Sequence, residues 1–204
     1  MKRLSYDELC DKYTAWWNNR TQDTYNLQMQ ILEYESQYFQ DMLLNTPETS
    51  KIVFTLNDKG EECDSFYDFD LSLDAKKYTY NVESLEGYMG LHDASNNTIT
   101  IDSNHLDDKN TILHEMVHAY ENILDTCGIP FIKELLFLEL YRFLQARNID
   151  IDDRILSHSN MLSGLNVAEQ GGLHSVFFFL KTLELDIRCD LPLGTICGYD
   201  REKY

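Results

Sequence analysis

The sequence predicts an α+β domain in which helices come first, a small and mostly antiparallel sheet follows, and helices then return. Three observations predict this order. Apolar residues recur at three- and four-residue spacings over residues 5–45, short strand-like stretches follow until Asp102, and helical spacing resumes after it. The 204 residues suffice for one compact unit, with residues 1–50 as an N-terminal helical segment and residues 51–204 as the main domain.

The N-terminal segment predicts two amphipathic helices. Its Leu, Tyr, Trp and Met residues are spaced to share a helical face, and acidic residues lie between them. Asn18, Asn19 and Thr21 interrupt this pattern with side chains that favour turns and helix caps. We therefore place the break between the two helices at these residues.

The central segment has the composition of short strands. β-branched and aromatic residues concentrate in five stretches, at residues 52–56, 66–73, 78–80, 88–91 and 98–101. Between the last two stretches, Asp93 to Asn97 supply the residue types that form tight turns. The sequence therefore predicts an antiparallel hairpin made of these two strands.

Three helices are predicted after the sheet, at about residues 108–124, 130–147 and 173–185. Asp107 or Asp108 can cap the first of them through a side-chain oxygen. The second begins near a proline, which is favoured in the first helical turn, and the third follows a pair of glycines.

Charge and composition exclude several classes of protein. The chain has 17 Lys and Arg against 35 Asp and Glu, a net charge of −18, which opposes direct binding to nucleic acid or to an anionic membrane. No export signal is visible, and no apolar run approaches the roughly 20 residues of a membrane helix. Five cysteines without CxxC spacing indicate reduced thiols. We expect a cytoplasmic protein.

The motif that indicates chemistry is His114-Glu115-Met116-Val117-His118, inside the first helix after the sheet. Residues four apart share a helical face, so His114 and His118 can direct ring nitrogens at one metal ion, most simply Zn²⁺. Glu115 is turned about 100° away and can act as the general base on a water that the metal activates. The spacing therefore predicts a catalytic metal site.

The sequence around this motif resembles the SprT-like zinc metallopeptidases. Residues 87–90 and 98–102 resemble a glycine-containing strand pair of that family, and residues 111–120 resemble its TLLHEMIHAY helix. Residues 171–177 are similar to the family's GHGxxF segment, whose histidine is the third zinc ligand. The resemblance covers about residues 50–186. It implies a zincin-like domain, a Zn²⁺ cofactor, a protein or peptide substrate, and His174 as third ligand.

The third ligand has alternatives. The interval between His118 and His174 is longer than in compact family members and contains a whole predicted helix. Glu139, in that helix, is the carboxylate alternative, as in zinc peptidases that take a ligand from a following helix, although Arg142 could pair with it. His158 is a further alternative.

Other residues near the motif are given ordinary structural interpretations. His92 and His105 are expected to be exposed or hydrogen-bonded histidines. The aromatic run at residues 177–179 is expected to belong to the core.

The sequence thus predicts a zinc-dependent peptidase, with Glu115 as catalytic residue and His114, His118 and His174 as metal ligands. The alternative is a non-enzymatic regulatory or interaction module that keeps a zincin fold and senses a partner through its acidic N-terminal helices. Glu115 favours the enzyme, because a binding module does not need a general base. The family's association with DNA is not expected here, since the chain lacks a cysteine-rich zinc ribbon and is strongly acidic.

Overall fold

The computed structural model describes residues 2–39, 71–126, 132–151 and 174–198. Within these ranges, five helices and a three-stranded sheet form an α+β fold, as the sequence predicts. The predicted strand at 52–56 and most of the one at 66–73 lie outside the described residues. Residues 71–73 are described and form no strand.

The two N-terminal helices are α1, Tyr6–Asn18, and α2, Gln22–Tyr38. The Ser5 hydroxyl accepts a hydrogen bond from the Glu8 amide, and the Glu8 carboxylate accepts one from the Ser5 amide, so a reciprocal capping box starts α1. The Thr21 hydroxyl caps α2 by accepting from the amide of Thr24. The predicted break between the helices is confirmed.

The sheet consists of β1, Thr79–Glu83, β2, Gly90–Asp93, and β3, Thr98–Asp102, in the order β1-β3-β2. Strands β2 and β3 form the predicted antiparallel hairpin, but β1 is parallel to β3. The prediction of a mostly antiparallel sheet is therefore wrong, and the sheet is mixed. The reason is the connection 84–89, which crosses the end of β3. Strand β2 therefore pairs with the edge of β3 opposite to β1.

The remaining helices are α3, Lys109–Thr126, α4, Ile132–Gln145, and α5, Val176–Arg188. The Asp108 carboxylate accepts from the amide of Asn110, which identifies it as the residue that caps α3. Helix α5 begins later than predicted, because Ser175 is its N-cap, and continues three residues beyond Leu185. None of the described helices is both long and apolar enough to cross a membrane.

Helix α3 lies at the centre of the core. Its apolar face packs between the inner face of the sheet and α5, whose aromatic residues 177–179 are buried as predicted. Leu27 and Ile31 of α2 belong to the same cluster, so the N-terminal helices share this core. This packing fixes α3 on both sides and makes it a rigid support for the side chains that it carries.

Candidate metal centre

Helix α3 places His114 and His118 on one face, one turn apart, with ring centroids separated by 5.1 Å. His174 comes from a different part of the chain, immediately before the cap of α5. Its ring centroid lies 4.9 Å from that of His114 and 5.1 Å from that of His118. The structure thus brings together all three histidines that were predicted as metal ligands.

The three imidazoles fit a metal ion. One potential ligand atom from each ring can be chosen so that all three lie within 4.8 Å of one another. Nitrogens bound at about 2.0–2.1 Å to one tetrahedral ion lie about 3.4 Å apart, so small side-chain rotations suffice. Three imidazoles that leave a fourth position for water or substrate are a donor set of catalytic zinc sites. Among the described residues, His114, His118 and His174 form the group of His, Cys, Asp or Glu side chains that is close enough together to hold a metal ion.

A hydrogen bond fixes the orientation of His114. Its Nδ1 lies 2.8 Å from the carbonyl oxygen of Ile196, and because a carbonyl can only accept, Nδ1 carries the proton. The lone pair is then on Nε2. Burial lowers the pKa of His114, and burial together with the neighbouring imidazoles lowers the pKa of His118 to about 2. Both rings are therefore neutral, which is the form that binds metals.

The ring of Phe178 packs against all three histidines. Its ring is stacked on His174 with centroids 4.1 Å apart, and its centroid lies 4.3 Å from that of His118 and 4.9 Å from that of His114. The sequence interpretation as a core residue is confirmed, since Phe178 is fully buried, but its contact with the site was missed. No sequence signal indicates this contact, because His174 precedes the N-cap of α5 and the two residues do not share a helical face.

The ring of His92 is stacked on the ring of His118. The two rings are parallel within 6°, with centroids 6.1 Å apart, and His92 Nε2 lies 3.0 Å from the Tyr78 hydroxyl oxygen. Burial lowers the pKa of His92 to about 4. The expectation of an ordinary hydrogen-bonded histidine is thus confirmed, although its packing against His118 was not predicted.

Glu115 is buried beside the histidines. Its carboxyl group lies so close to the backbone of β2 that a Cβ atom added at Gly90 would be 2.8 Å from both Cγ and Oε1 of Glu115. The Glu115 side chain is 6% exposed, and this burial raises its pKa to about 8. Near neutral pH this burial favours the protonated form, and a cation held by the adjacent histidines would favour the carboxylate that can act as a base. Gly90 therefore provides the space that Glu115 occupies.

A cavity of about 400 Å³ opens beside His114 and Glu115. Three segments form its walls: residues 87–90, the first turn of α3, and the chain after α5 at Thr195, Ile196 and Gly198. The lining includes both apolar and polar side chains. The volume is within the range of sites that bind small molecules or side chains.

The other candidate residues lie away from the histidine cluster or outside the described residues. Glu139 is on α4, where its side chain is 40% exposed and forms an ion pair with Arg142 at 2.6 Å, the partner that the sequence indicated. Glu139 does not belong to the histidine cluster. His105 is in the turn after β3 and is not part of the cluster either. His158 lies outside the described residues.

Comparison of the chain with protein-family models, with curated proteins and with solved structures finds no match.

One prediction follows from the donor geometry. Replacing His118 by Ala removes one of two imidazoles held by the same helix, so we expect about one zinc ion per wild-type chain and a large loss of zinc from the variant after dialysis. Metal analysis of both proteins measures this. His105→Ala, outside the cluster, is the control and should retain its zinc. Wild-type zinc content in His118→Ala would place the site elsewhere.

Proposed function

We propose that this protein is a zinc-dependent peptidase of SprT-like, zincin type. The observation that supports this best is the combination of three converging imidazoles with a buried glutamate that lines the same cavity as one of them, His114. A structural zinc site would require a fourth protein ligand and would have no use for Glu115.

Each residue then has a defined role. His114, His118 and His174 would hold the ion, and zinc when bound lowers the pKa of water and polarises a carbonyl group. Glu115 accepts a proton from the attacking water and delivers it to the leaving amine. The surroundings leave Glu115 only 6% exposed, and the contacts of Phe178 with all three imidazole rings limit their rotation.

A peptide substrate suits the surroundings of the site. Strand β2 is an edge strand of the described sheet and pairs with β3 only, and an extended peptide can add to such an edge through main-chain hydrogen bonds. The adjoining Tyr88 and Met89 line the cavity and are 63% and 45% exposed, so apolar surface is available next to the proposed catalytic group.

The experiment is a cleavage assay with a broad peptide library. Zinc-loaded protein is expected to cleave a subset of peptides, a strong chelator is expected to abolish cleavage, and added zinc is expected to restore it. His118→Ala is the matched control for a contaminating protease. Zinc-loaded wild type that cleaves no peptide would contradict the proposal and favour the non-enzymatic interaction module.

The charge leads to two secondary proposals. With a net charge of −18, we propose that the substrate is protein and that the chain does not bind nucleic acid directly. We also propose a cytoplasmic location, with which the thiols of Cys10 and Cys189, free among the described residues, agree.

A further inference from the structure

A buried carboxylate on α5 holds the chain segment that follows this helix. Asp186 is fully buried, and its two oxygens accept hydrogen bonds from the amides of Gly194, at 2.7 Å, and Ile196, at 3.0 Å. Gly194 has a φ of +90°, a backbone conformation that favours glycine. A buried carboxylate is costly unless hydrogen bonds satisfy it, so this arrangement holds residues 194–196 against the helix.

The same segment reaches the metal centre. The amide of Ile196 donates to Asp186, and its carbonyl oxygen accepts the Nδ1 proton of His114 at 2.8 Å. Asp186 and His114 are therefore connected through one residue of a buried chain segment. A shift of this residue would weaken its hydrogen bond to His114, and so change the direction of the ring and the fraction of molecules in which Nε2 carries the lone pair.

We infer that Asp186 is a positioning residue of the metal centre, which fixes Ile196 and thereby the tautomer and orientation of His114. This inference rests on the proposed function for the identity of the site as a zinc centre. Residues that orient a metal-binding histidine are typically worth about 10–100-fold in metal affinity. Asp186 lies far from the HExxH motif in sequence and is not expected to touch the metal.

The test is Asp186→Asn in the full-length chain. Asparagine has nearly the same size, but its amide group can accept from only one of the two backbone donors and places its own donors against the other. We expect zinc affinity, measured by competition with a chromophoric chelator, to fall by about 10–100-fold. In metal-free ¹⁵N-labelled protein, His114 should gain the tautomer protonated at Nε2, which a purely structural role of Asp186 would not produce.

Glu184→Gln is the matched control. Glu184 is on the same helix, is 3% exposed, and is bonded to Lys181 and Arg188 instead of to the segment near His114. This variant also loses a buried charge, yet it should keep the zinc affinity and the His114 tautomer of the wild type. Equal loss of affinity in both variants would mean that destabilisation of α5, not orientation of His114, is responsible.

A second measurement applies if Asp186→Asn does not fold. Coupling between two sites is reciprocal, so zinc binding should slow amide hydrogen exchange at Gly194 and Ile196 more than at the amides of α2. Equal slowing overturns the inference, and so does wild-type zinc affinity in a folded Asp186→Asn variant. Neither result affects the proposed function. If the wild-type protein binds no zinc, the inference and the proposed function are both wrong.

Discussion

Replacement of Glu115 by Gln is expected to lower peptide hydrolysis by about 10²- to 10⁴-fold while zinc content and fold remain unchanged. Glutamine has nearly the shape of glutamate but cannot accept the proton of the attacking water, so only proton transfer is lost. The imidazoles of His114, His118 and His174 stay in place, since none of their described contacts involves the Glu115 carboxylate. The measurement is kcat/KM on a cleaved library peptide, with metal analysis of the same preparation.

Glu139→Gln is the control for this experiment. It removes the carboxylate that sequence reasoning considered as an alternative zinc ligand, and its half-exposed side chain lies outside the histidine cluster. We expect wild-type activity and zinc content from it. If Glu115→Gln cleaved as fast as wild type, the general base would be another residue. If Glu139→Gln lost zinc, the third ligand would be Glu139.

Replacement of Gly90 by Ala is expected to lower hydrolysis by about 10²-fold or more, although Gly90 itself has no side chain to participate in the chemistry. A Cβ at this position would lie 2.8 Å from Cγ and Oε1 of Glu115, closer than van der Waals contact allows. The flexible carboxylate should move and the strand should stay, because Ala is compatible with the extended backbone of β2. A catalytic group displaced by about 1 Å can lose about 10²-fold in rate.

The double variant Gly90→Ala, Glu115→Gln tests this explanation. If alanine acts by displacing Glu115, it should have little further effect once the base has been removed, so the two losses should not add. Zinc content and the temperature of unfolding should remain close to those of wild type in the single variant. Additive losses in the double variant would show that Gly90 contributes in another way, for example through the shape of the cavity.

The predictable parts of this molecule are those determined over short stretches of sequence. The pair His114 and His118 follows from helical periodicity, and the β2–β3 hairpin follows from the turn residues between its strands. The parallel pairing of β1 with β3 was missed, because it depends on how the connection passes the sheet and not on local composition.

The same distinction applies to the site. The convergence of His174 with the two α3 histidines depends on how α5 packs against α3, and the sequence indicated His174 only through a family resemblance. The contributions of Phe178 and Ile196 could not be predicted, since an ordinary aromatic and an ordinary isoleucine carbonyl acquire their roles from residues distant in the chain. Sequence patterns indicate side chains with chemical functions far better than the groups that orient them.

If the proposed metal centre is occupied, the separation of the three histidines along the chain would couple metal supply to folding. Two of them are on α3 and the third precedes α5, so an ion bound by all three would add to the packing and to the Ser175–Glu121 hydrogen bond that already join these segments. Above the dissociation constant, each tenfold rise in free zinc would add about 1.4 kcal/mol to the free energy of unfolding. Zinc-starved cells would then hold more unfolded chains, which proteases remove, and would lower the abundance of the protein together with its activity.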